Sequence, residues 1–362
     1  MALTMDEVRR LPKVALHDHL DGGLRPDTVI EHCAEVNHEL PTTDADALAR
    51  WFFDAADSGD LVTYLSTFPH TIAAMQTRPH LERVAREFVL DQALDGVVYA
   101  EARWAPEQHT ERGLTEAEAV EAVRDGLAAG MAEAEAAGTP IIARQLLTSM
   151  RHAEPTTRIA ELAVRYRDQG VAGFDIAGAE LGFPPENFID AFRYLKTENA
   201  YFTIHAGEAE GVPSVFGAVQ LCGANRLGHG VRIVEDITRD DDGTERLGRL
   251  AAYVRNQRIP LEVCPTSNLQ TGIADAVADH PIGRLVDLGF TVTVSCDNRL
   301  MSGTSLSREF ALLSEAFGWG LDEIEVLTLN AARAAFLDHD ARERLISDVI
   351  APGFASARSA AC

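Results

Sequence analysis

Short apolar or β-branched runs alternate with longer helix-periodic stretches along most of the chain. Runs of this length, bounded by Gly, Pro, Asn or Asp, are typical of buried strands. Eight strands are predicted, over residues 14–20, 96–105, 141–150, 171–178, 201–208, 226–230, 260–268 and 291–298.

The stretches between most of these strands are rich in Ala, Glu, Leu and Arg and predict helices. The clearest covers 114–137, where Thr115 is a plausible N-cap and Gly138 ends the helix. Similar patterns cover 81–94, 157–169 and 246–257. Strands that alternate with such helices predict parallel βαβ units, and eight units favour a closed (β/α)₈ barrel of the TIM type. An open, doubly wound sheet is the alternative, because the number of strands does not show closure.

Residues 24–78 form a segment too long for an ordinary connection. Within it, the spacing of Leu61, Tyr64, Leu65 and Phe68 places four apolar side chains on one helix face. The loop after the first strand opens on the catalytic face of a barrel, so we expect an inserted helical lid, with an ordinary packed helix as the alternative. The predicted organisation is one barrel domain over 1–350 and a flexible C-terminal tail over 351–362.

The charge of the chain excludes several classes of partner. Its 362 residues include 56 acidic and 32 basic side chains, giving a formal net charge of −24. Nucleic acids and anionic membranes are bound by clustered Lys and Arg, so we expect neither as a partner. We also expect no signal peptide, no membrane helix and no disulfide framework, and therefore a cytoplasmic protein. A monomer or a weak homo-oligomer is expected.

Histidines and a carboxylate at the ends of predicted strands suggest a metal site. His17 and His19 are two residues apart on one strand, so their imidazoles share a face. This pair alone is weak evidence, but His205, His229 and Asp297 also lie at strand ends, which meet at one rim of a barrel. Nitrogen and carboxylate donors without thiolates favour Zn²⁺ in a hydrolytic role over Fe²⁺, Mn²⁺ or Co²⁺.

Glu208 lies just past the fifth predicted strand and is the best candidate for a general acid. The alternative is a carboxylate that stabilises the start of a helix through its dipole. His229 is a candidate to hold the attacking hydroxide or to act as a base.

Eight motifs, LPKVALHDHLDGGLRP, EARWAP, MRH, DIAGAE, HAGE, RLGHG, EVCPTSN and SCDN, occur in this order. The sequence thereby resembles the adenosine deaminase family of metal-dependent hydrolases, over about residues 11–350. The resemblance implies a (β/α)₈ barrel with one catalytic Zn²⁺. The metal ligands that it implies are His17, His19, His205 and Asp297.

The resemblance also implies a reaction, the deamination of adenosine and 2′-deoxyadenosine to inosine and 2′-deoxyinosine in purine salvage. Glu208 would protonate purine N1 while hydroxide attacks C6, and ammonia would leave. His229 and Asp297 would orient the hydroxide. Arg103, Arg151, His152, Asp175, Ser267 and Asn268 fall in shared motifs and are expected to orient ligands and loops.

The implied substrate contacts come from several motifs. Gly178 would present its backbone amide to purine N3, and Asp21, with His19 nearby, would hold the ribose 5′ hydroxyl. Leu61, Tyr64, Leu65 and Phe68 match the apolar gate that covers the ribose in the family. Asn298 departs from the pattern, because many members have a second aspartate there. An amide always carries N–H donors, so we expect Asn298 to keep the contact with N7 while altering rate or substrate preference.

Other functions remain as alternatives. The substrate could be another 6-aminopurine such as adenine or aminodeoxyfutalosine, although relatives of that kind commonly carry Glu where this chain has Asp21. A non-catalytic binding protein on the same fold would lack metal ligands, and none of the predicted ones is missing here. A binuclear barrel hydrolase would need a bridging lysine, but Lys13 and Lys196 do not lie near the end of a central strand.

Overall fold

Parallel strands close on themselves in the computed structural model of the chain, which describes residues 2–361. The strands are β1 Lys13–His19, β2 Val97–Trp104, β3 Ile142–Met150, β4 Val171–Ala177, β5 Thr203–Ala206, β6 Arg226–His229, β7 Ile237–Arg239, β8 Glu245–Leu247, β9 Leu261–Val263 and β10 Val292–Val294. All eight predicted strands are confirmed, and β7 pairs with β8 in a small antiparallel hairpin that was not predicted.

Two four-stranded ladders build the barrel, in the orders β1-β2-β3-β4 and β5-β6-β9-β10. Single parallel bridges join them, between Phe174 and Phe202 on one side and between Asp18 and Asp297 on the other. The backbone N–H of His19 also donates to the carbonyl of Asp297 at 2.7 Å. The sheet is therefore closed, which confirms the (β/α)₈ barrel.

Helices surround the barrel and cover the hydrophobic faces of its strands. They are α1 Met5–Arg9, α2 Pro26–Val36, α3 Ala45–Ala56, α4 Leu61–Leu65, α5 Phe68–Ala73, α6 Arg78–Leu94, α7 Glu116–Ala136, α8 Arg158–Arg165, α9 Ile189–Thr197, α10 Val212–Phe216, α11 Arg249–Asn256, α12 Pro265–Gln270, α13 Ile282–Asp287, α14 Leu306–Phe317, α15 Leu321–Ala334, α16 His339–Arg344 and α17 Ala351–Ala361. Thr115 caps α7 in a capping box with Glu118, as a threonine directly before a helical pattern predicts.

The inserted segment after β1 is helical and consists of α2 to α5. The four apolar residues of the predicted helix face belong to two short helices, because the chain breaks at Ser66 and Thr67. Asp60 begins the first of them by accepting a hydrogen bond from the Thr63 N–H at 2.8 Å. The prediction of one continuous helix face was wrong, although the segment does lie over the end of the barrel that carries the site.

Three predictions near strand and chain ends need correction. The segment predicted as a flexible tail over 351–362 is helix α17 over its described residues. Phe354 is completely buried and packs this Ala- and Ser-rich helix against the rest of the protein. The strands predicted over 260–268 and 291–298 are shorter than expected, because Pro265 begins helix α12 and β10 ends at Val294, beyond which Asp297 makes a single bridge to Asp18. No helix within residues 2–361 has the length and apolarity needed to cross a bilayer.

Candidate active site

The ends of four barrel strands bring the predicted histidines and aspartate together. His17, His205, His229 and Asp297 each offer a ligand atom, and these atoms lie within 4.8 Å of one another. His19 joins them, because its Nε2 is 3.3 Å from both His205 Nε2 and Asp297 Oδ1. All five side chains are buried. The cluster has the composition and size of a site for one divalent cation.

Two of the imidazole rings contact buried carboxylates through Nδ1. The Nε2 atom of each of these rings therefore faces the cluster. Glu262 Oε2 is 3.1 Å from His17 Nδ1, and Asp175 Oδ2 is 2.8 Å from His205 Nδ1. His17 Nε2 makes no hydrogen bond with any of residues 2–361, so it is free to bind a metal. Burial lowers the pKa of His19 and of His205, which keeps both imidazoles neutral. Neutral imidazoles oriented by carboxylates suit Zn²⁺.

One guanidinium joins the two carboxylates beneath the cluster. Arg103 Nη1 is 2.9 Å from Asp175 Oδ2, and its Nη2 is 2.6 Å from Glu262 Oε2. Arg226 Nε adds a contact of 2.5 Å to the other oxygen of Glu262. Arg103 and Asp175 were predicted to orient ligands, whereas Glu262 was missed. Its signal is a single carboxylate inside an otherwise apolar strand.

Asp297 and His229 have unusual backbone geometry. Their φ angles are +62° and +59°, in the left-handed region that residues other than glycine adopt at a cost of about 1–3 kcal/mol. Ser267, a predicted orienting residue, donates to Asp297 Oδ2 at 2.6 Å. The other oxygen, Oδ1, is 3.3 Å from Nε2 of both His17 and His19. The backbone therefore holds Asp297 with one oxygen bound by Ser267 and the other facing the imidazoles.

Glu208 lies beside this cluster with a carboxyl group suited to carry a proton. Its Oε2 is 3.5 Å from His229 Nε2, and its Oε1 is buried with no hydrogen-bond partner in the described part of the chain. Burial raises the pKa of Glu208 well above its ordinary value, and the negative charges of Asp297 and Glu180 raise it further. The group can therefore hold a proton at neutral pH and donate it into the cavity.

A second carboxylate, Glu180, shapes the turn that carries Glu208. Its Oε1 accepts from the backbone N–H of residue 207 at 2.7 Å and from the Ser214 hydroxyl at 2.5 Å. Its Oε2 accepts from the backbone N–H groups of residues 208, 209 and 210 at 2.6–3.1 Å. Glu180 was not predicted to have a role, although it is the last residue of the DIAGAE motif.

A cavity of about 340 Å³ opens next to the cluster, within the range of about 300–1,000 Å³ typical of small-molecule sites. The predicted substrate residues all line it: His19, Asp21, Leu61, Tyr64, Leu65, Phe68, Gly178 and Asn298. Lining residues that were not predicted include Trp104 and Met150, which belong to motifs that gave no chemical signal for them, and Gln108 and Thr148, which lie outside the motifs. His152, predicted as an orienting residue, faces the cavity itself.

Two glycines make room at the polar side of this cavity. Gly178 has a φ of +102°, a conformation that favours glycine, and a Cβ there would come within 3.2 Å of Met150 Cε. A Cβ atom on Gly22 would come within 1.9 Å of Asn298 Oδ1, so only glycine there permits the observed position of Asn298.

Asp21 also lines the polar side of the cavity. Burial raises the pKa of Asp21 to about 7, and its Oδ1 is 3.9 Å from His19 Nδ1.

The remaining predicted orienting residues also reach the site. Arg151 donates to the carbonyl of His205 at 2.9 Å and to that of Phe183 at 2.9 Å, which fixes the end of β5. Asn268 Nδ2 is 3.1 Å from His229 Nδ1. All six residues predicted to orient ligands and loops thus lie at or directly behind the site.

The sequence and the fold are similar to those of known proteins. A family model described as adenosine deaminase matches residues 12–352. Adenosine deaminase 1 of Streptomyces coelicolor is 59% identical, and the match covers 98% of this chain and 90% of that protein. Adenosine deaminase of Mycolicibacterium vanbaalenii is 55% identical over 98% of each. Among solved structures, an amidohydrolase from Burkholderia ambifaria with bound Zn is 25% identical, with a TM-score of 0.83 over 99% of this chain and 96% of that one.

Proposed function

The chain belongs to the adenosine deaminase family, and we propose that it converts adenosine and 2′-deoxyadenosine to inosine and 2′-deoxyinosine with release of ammonia. The observation that carries this proposal is the position of Glu208. A carboxyl group whose pKa is raised by burial lies beside a histidine and aspartate cluster, and both face one cavity. A hydrolytic deaminase needs this combination of a proton donor and a metal site.

We assign the metal site to His17, His19, His205 and Asp297, as the family resemblance implies. Nitrogen donors with a carboxylate fit Zn²⁺, and the solved relative from Burkholderia ambifaria contains Zn. When bound, Zn²⁺ supplies a Lewis acid that lowers the pKa of a water molecule to about 7. Glu262 and Asp175 orient two of the imidazoles, and Ser267 orients the carboxylate of Asp297.

Glu208 supplies the proton that makes the purine ring electrophilic. Its Oε1 has no hydrogen-bond partner among the described residues and is the atom that would donate to purine N1. Protonation of N1 allows C6 to accept a nucleophile, because the ring nitrogen then takes the electron pair. We assign to His229, whose Nε2 is 3.5 Å from Glu208 Oε2, the role of orienting the nucleophile.

The other lining residues account for recognition of a nucleoside. The Gly178 amide would donate to purine N3, the Asn298 amide to N7, and Asp21 would bind the ribose 5′ hydroxyl. The apolar gate, which consists of Leu61, Tyr64, Leu65 and Phe68, would cover the sugar. The gate and Asp21 favour a nucleoside over the free base, since adenine has no group to contact either of them.

We place this activity in purine salvage in the cytoplasm, with small purine nucleosides as substrates and no nucleic acid or membrane as a partner. The net charge of −24 supports the exclusion of polyanions. Four cysteines, at positions 33, 222, 264 and 296, are free and buried, which suits a reducing compartment. We also propose that the protein is a monomer or a weak homo-oligomer.

A substrate panel tests the proposed function. The zinc-loaded protein is mixed separately with adenosine, 2′-deoxyadenosine, adenine and aminodeoxyfutalosine, and deamination is followed by ultraviolet absorbance. We expect turnover of the first two and little of the others. Turnover of adenine or aminodeoxyfutalosine without turnover of adenosine would contradict the proposal. Glu208→Gln is the control that shows the signal comes from this site.

A further inference from the structure

Two buried side chains outside the metal cluster connect His229 to a backbone amide. The N–H of Ile282 donates to His280 Nδ1 at 3.0 Å. His280 Nε2 is 3.3 Å from Asn268 Oδ1, and Asn268 Nδ2 is 3.1 Å from His229 Nδ1. None of the four residues is more than 3% exposed to solvent. Water therefore does not compete for these hydrogen bonds.

The backbone end of this series fixes the direction of the first hydrogen bond. Ile282 is in the first turn of α13, where an N–H has no partner inside the helix and can only donate. His280 Nδ1 must then accept, and a neutral imidazole that accepts at Nδ1 carries its proton on Nε2. Burial lowers the pKa of His280 to about 4, so the ring is neutral at neutral pH.

The side-chain amide of Asn268 extends this constraint from His280 to His229. His280 Nε2–H donates to Asn268 Oδ1, which leaves Asn268 Nδ2 facing His229. An amide nitrogen only donates, so His229 Nδ1 must accept. We propose that this tautomer relay, consisting of Ile282, His280 and Asn268, holds His229 in the form that carries its proton on Nε2 and presents that N–H to the cavity.

The tautomer decides what His229 can do in the site. A ring nitrogen that carries a proton has no lone pair, so His229 Nε2 donates a hydrogen bond and does not bind the metal. Of the five clustered side chains, the metal is therefore left to His17, His19, His205 and Asp297. Asn268 and His280 are positioning residues, because they act on the reaction through His229. The inference rests on the proposed function for the role of His229 as a donor to the nucleophile.

The direct test reads the proton on His229. Full-length, zinc-loaded protein with ¹⁵N-labelled histidine is studied by NMR, and the His229 signals are assigned by their loss in His229→Gln. We expect a protonated Nε2 and an unprotonated Nδ1. A protonated Nδ1, or an Nε2 with the signature of a metal-bound nitrogen, would overturn the inference.

Asn268→Asp keeps the size of the side chain but reverses the direction of its hydrogen bond with His229. A carboxylate accepts from both neighbours, so His229 must place a proton on Nδ1. We expect the Nδ1 signal to become that of a protonated nitrogen while zinc content stays at one per chain. In a serine protease triad, a wrong tautomer of this kind costs about 10⁴-fold in kcat, so we expect kcat to fall by at least about 100-fold with little change in KM. An unchanged Nδ1 signal in this variant contradicts the relay.

His280 is tested by a pair of variants. His280→Gln keeps a side-chain N–H near Asn268 Oδ1, whereas His280→Leu removes it. We expect the Gln variant to keep the wild-type tautomer and kcat, and the Leu variant to lose both the single tautomer and kcat. Equal effects of the two would show that His280 serves packing alone. Asn330→Asp is the matched control, since Asn330 is a buried amide that donates to the Val292 carbonyl at 3.1 Å, away from the cavity.

Failure of this inference differs from failure of the proposed function. If the substrate panel shows no adenosine turnover, the function is wrong, yet the NMR result still reports the tautomer. If adenosine is deaminated and His229 carries its proton on Nδ1, the function stands and the relay is wrong.

Discussion

Two walls of the cavity are held in place by different forces. The polar wall consists of His205, Glu208, His229, Asp297 and Asn298. His205, His229 and Asp297 are each held by a buried contact of 2.6–3.1 Å with another side chain. The apolar wall is the gate, whose residues lie on the short helices α4 and α5, of five and six residues. In the gate, Leu65 and Phe68 are only half-buried, and the Tyr64 hydroxyl finds no hydrogen-bond partner within the described range.

This difference between the two walls indicates that the polar wall carries out the reaction and the apolar wall controls how the substrate binds. Directional hydrogen bonds from a closed barrel hold the reacting groups in one geometry, as reactions at a metal site require. Helices as short as those of the gate are not stable alone, so packing decides their position and they can adapt to a substrate. We therefore expect substitutions in the polar wall to act on kcat and substitutions in the gate to act on KM.

The largest effect is expected for Glu208→Gln in the polar wall. The amide has nearly the same shape but has no acidic proton for purine N1. We expect kcat to fall by about 10²–10⁴-fold, the contribution typical of a general acid, while zinc content stays unchanged. Steady-state kinetics with adenosine and metal analysis check this result. A variant with wild-type kcat would remove Glu208 from the mechanism.

Glu180→Gln tests whether the polar wall depends on supports behind it. An amide cannot accept at both ends, so it must place an NH₂ group against at least one backbone N–H of residues 207–210. We expect kcat to fall by about 10–100-fold, part of what the general acid supplies. The change should cost nothing further in a Glu208→Gln background, because Glu180 acts through Glu208.

Kinetics of the two single variants and the double variant check this prediction. Additive losses would mean that Glu180 acts independently of Glu208. The control is Asp95→Asn, because Asp95 is a buried carboxylate that accepts from the Ser307 N–H at 2.8 Å away from the cavity. It should affect stability and leave kcat unchanged.

Asn298→Asp sharpens the comparison within the polar wall by changing a binding contact. A carboxyl group donates to N7 only when protonated, so kcat/KM for adenosine should fall as pH rises through the pKa of the new group. We expect a loss of about 3–10-fold at neutral pH, the range of one hydrogen bond. 7-Deazaadenosine, which has no N7, should be insensitive to the change. Equal losses for both substrates would show that residue 298 does not contact N7.

The smallest effect is expected in the gate. Leu65→Ala removes apolar surface that would cover the sugar, so KM for adenosine should rise by about 3–10-fold with kcat nearly unchanged. Val62→Ala is the matched control, since Val62 is on the same helix but 60% exposed. A fall in kcat comparable to that of the polar-wall variants would contradict the division between the two walls.

The sequence was sufficient to predict the barrel, because each of its strands is a buried run between turn residues. It was less informative where tertiary contacts decide the backbone. Residues 264–268 directly follow the run of β9 and were predicted to extend it, but Pro265 begins a helix that brings Ser267 to Asp297. The C-terminal segment has a composition that permits either a frayed end or a helix, and the buried Phe354 accompanies the helix.

The metal cluster was predictable because its members lie at strand ends, which a barrel brings to one rim. The supports behind it were not, because no periodicity links residues that meet across the fold. Glu262 reaches His17 from 245 positions away, and His280 reaches His229 only through Asn268. A charged or polar residue within an apolar stretch indicates such a support without identifying its partner.

Removal of the metal tests the central claim most directly. Zinc content and adenosine deamination are measured on the same sample before dialysis against a chelator, after dialysis, and after Zn²⁺ is added back. We predict one zinc per chain at the start, loss of activity together with the metal, and recovery of both on addition. Full activity of the metal-free protein would contradict the assignment of this cluster as the centre of the reaction.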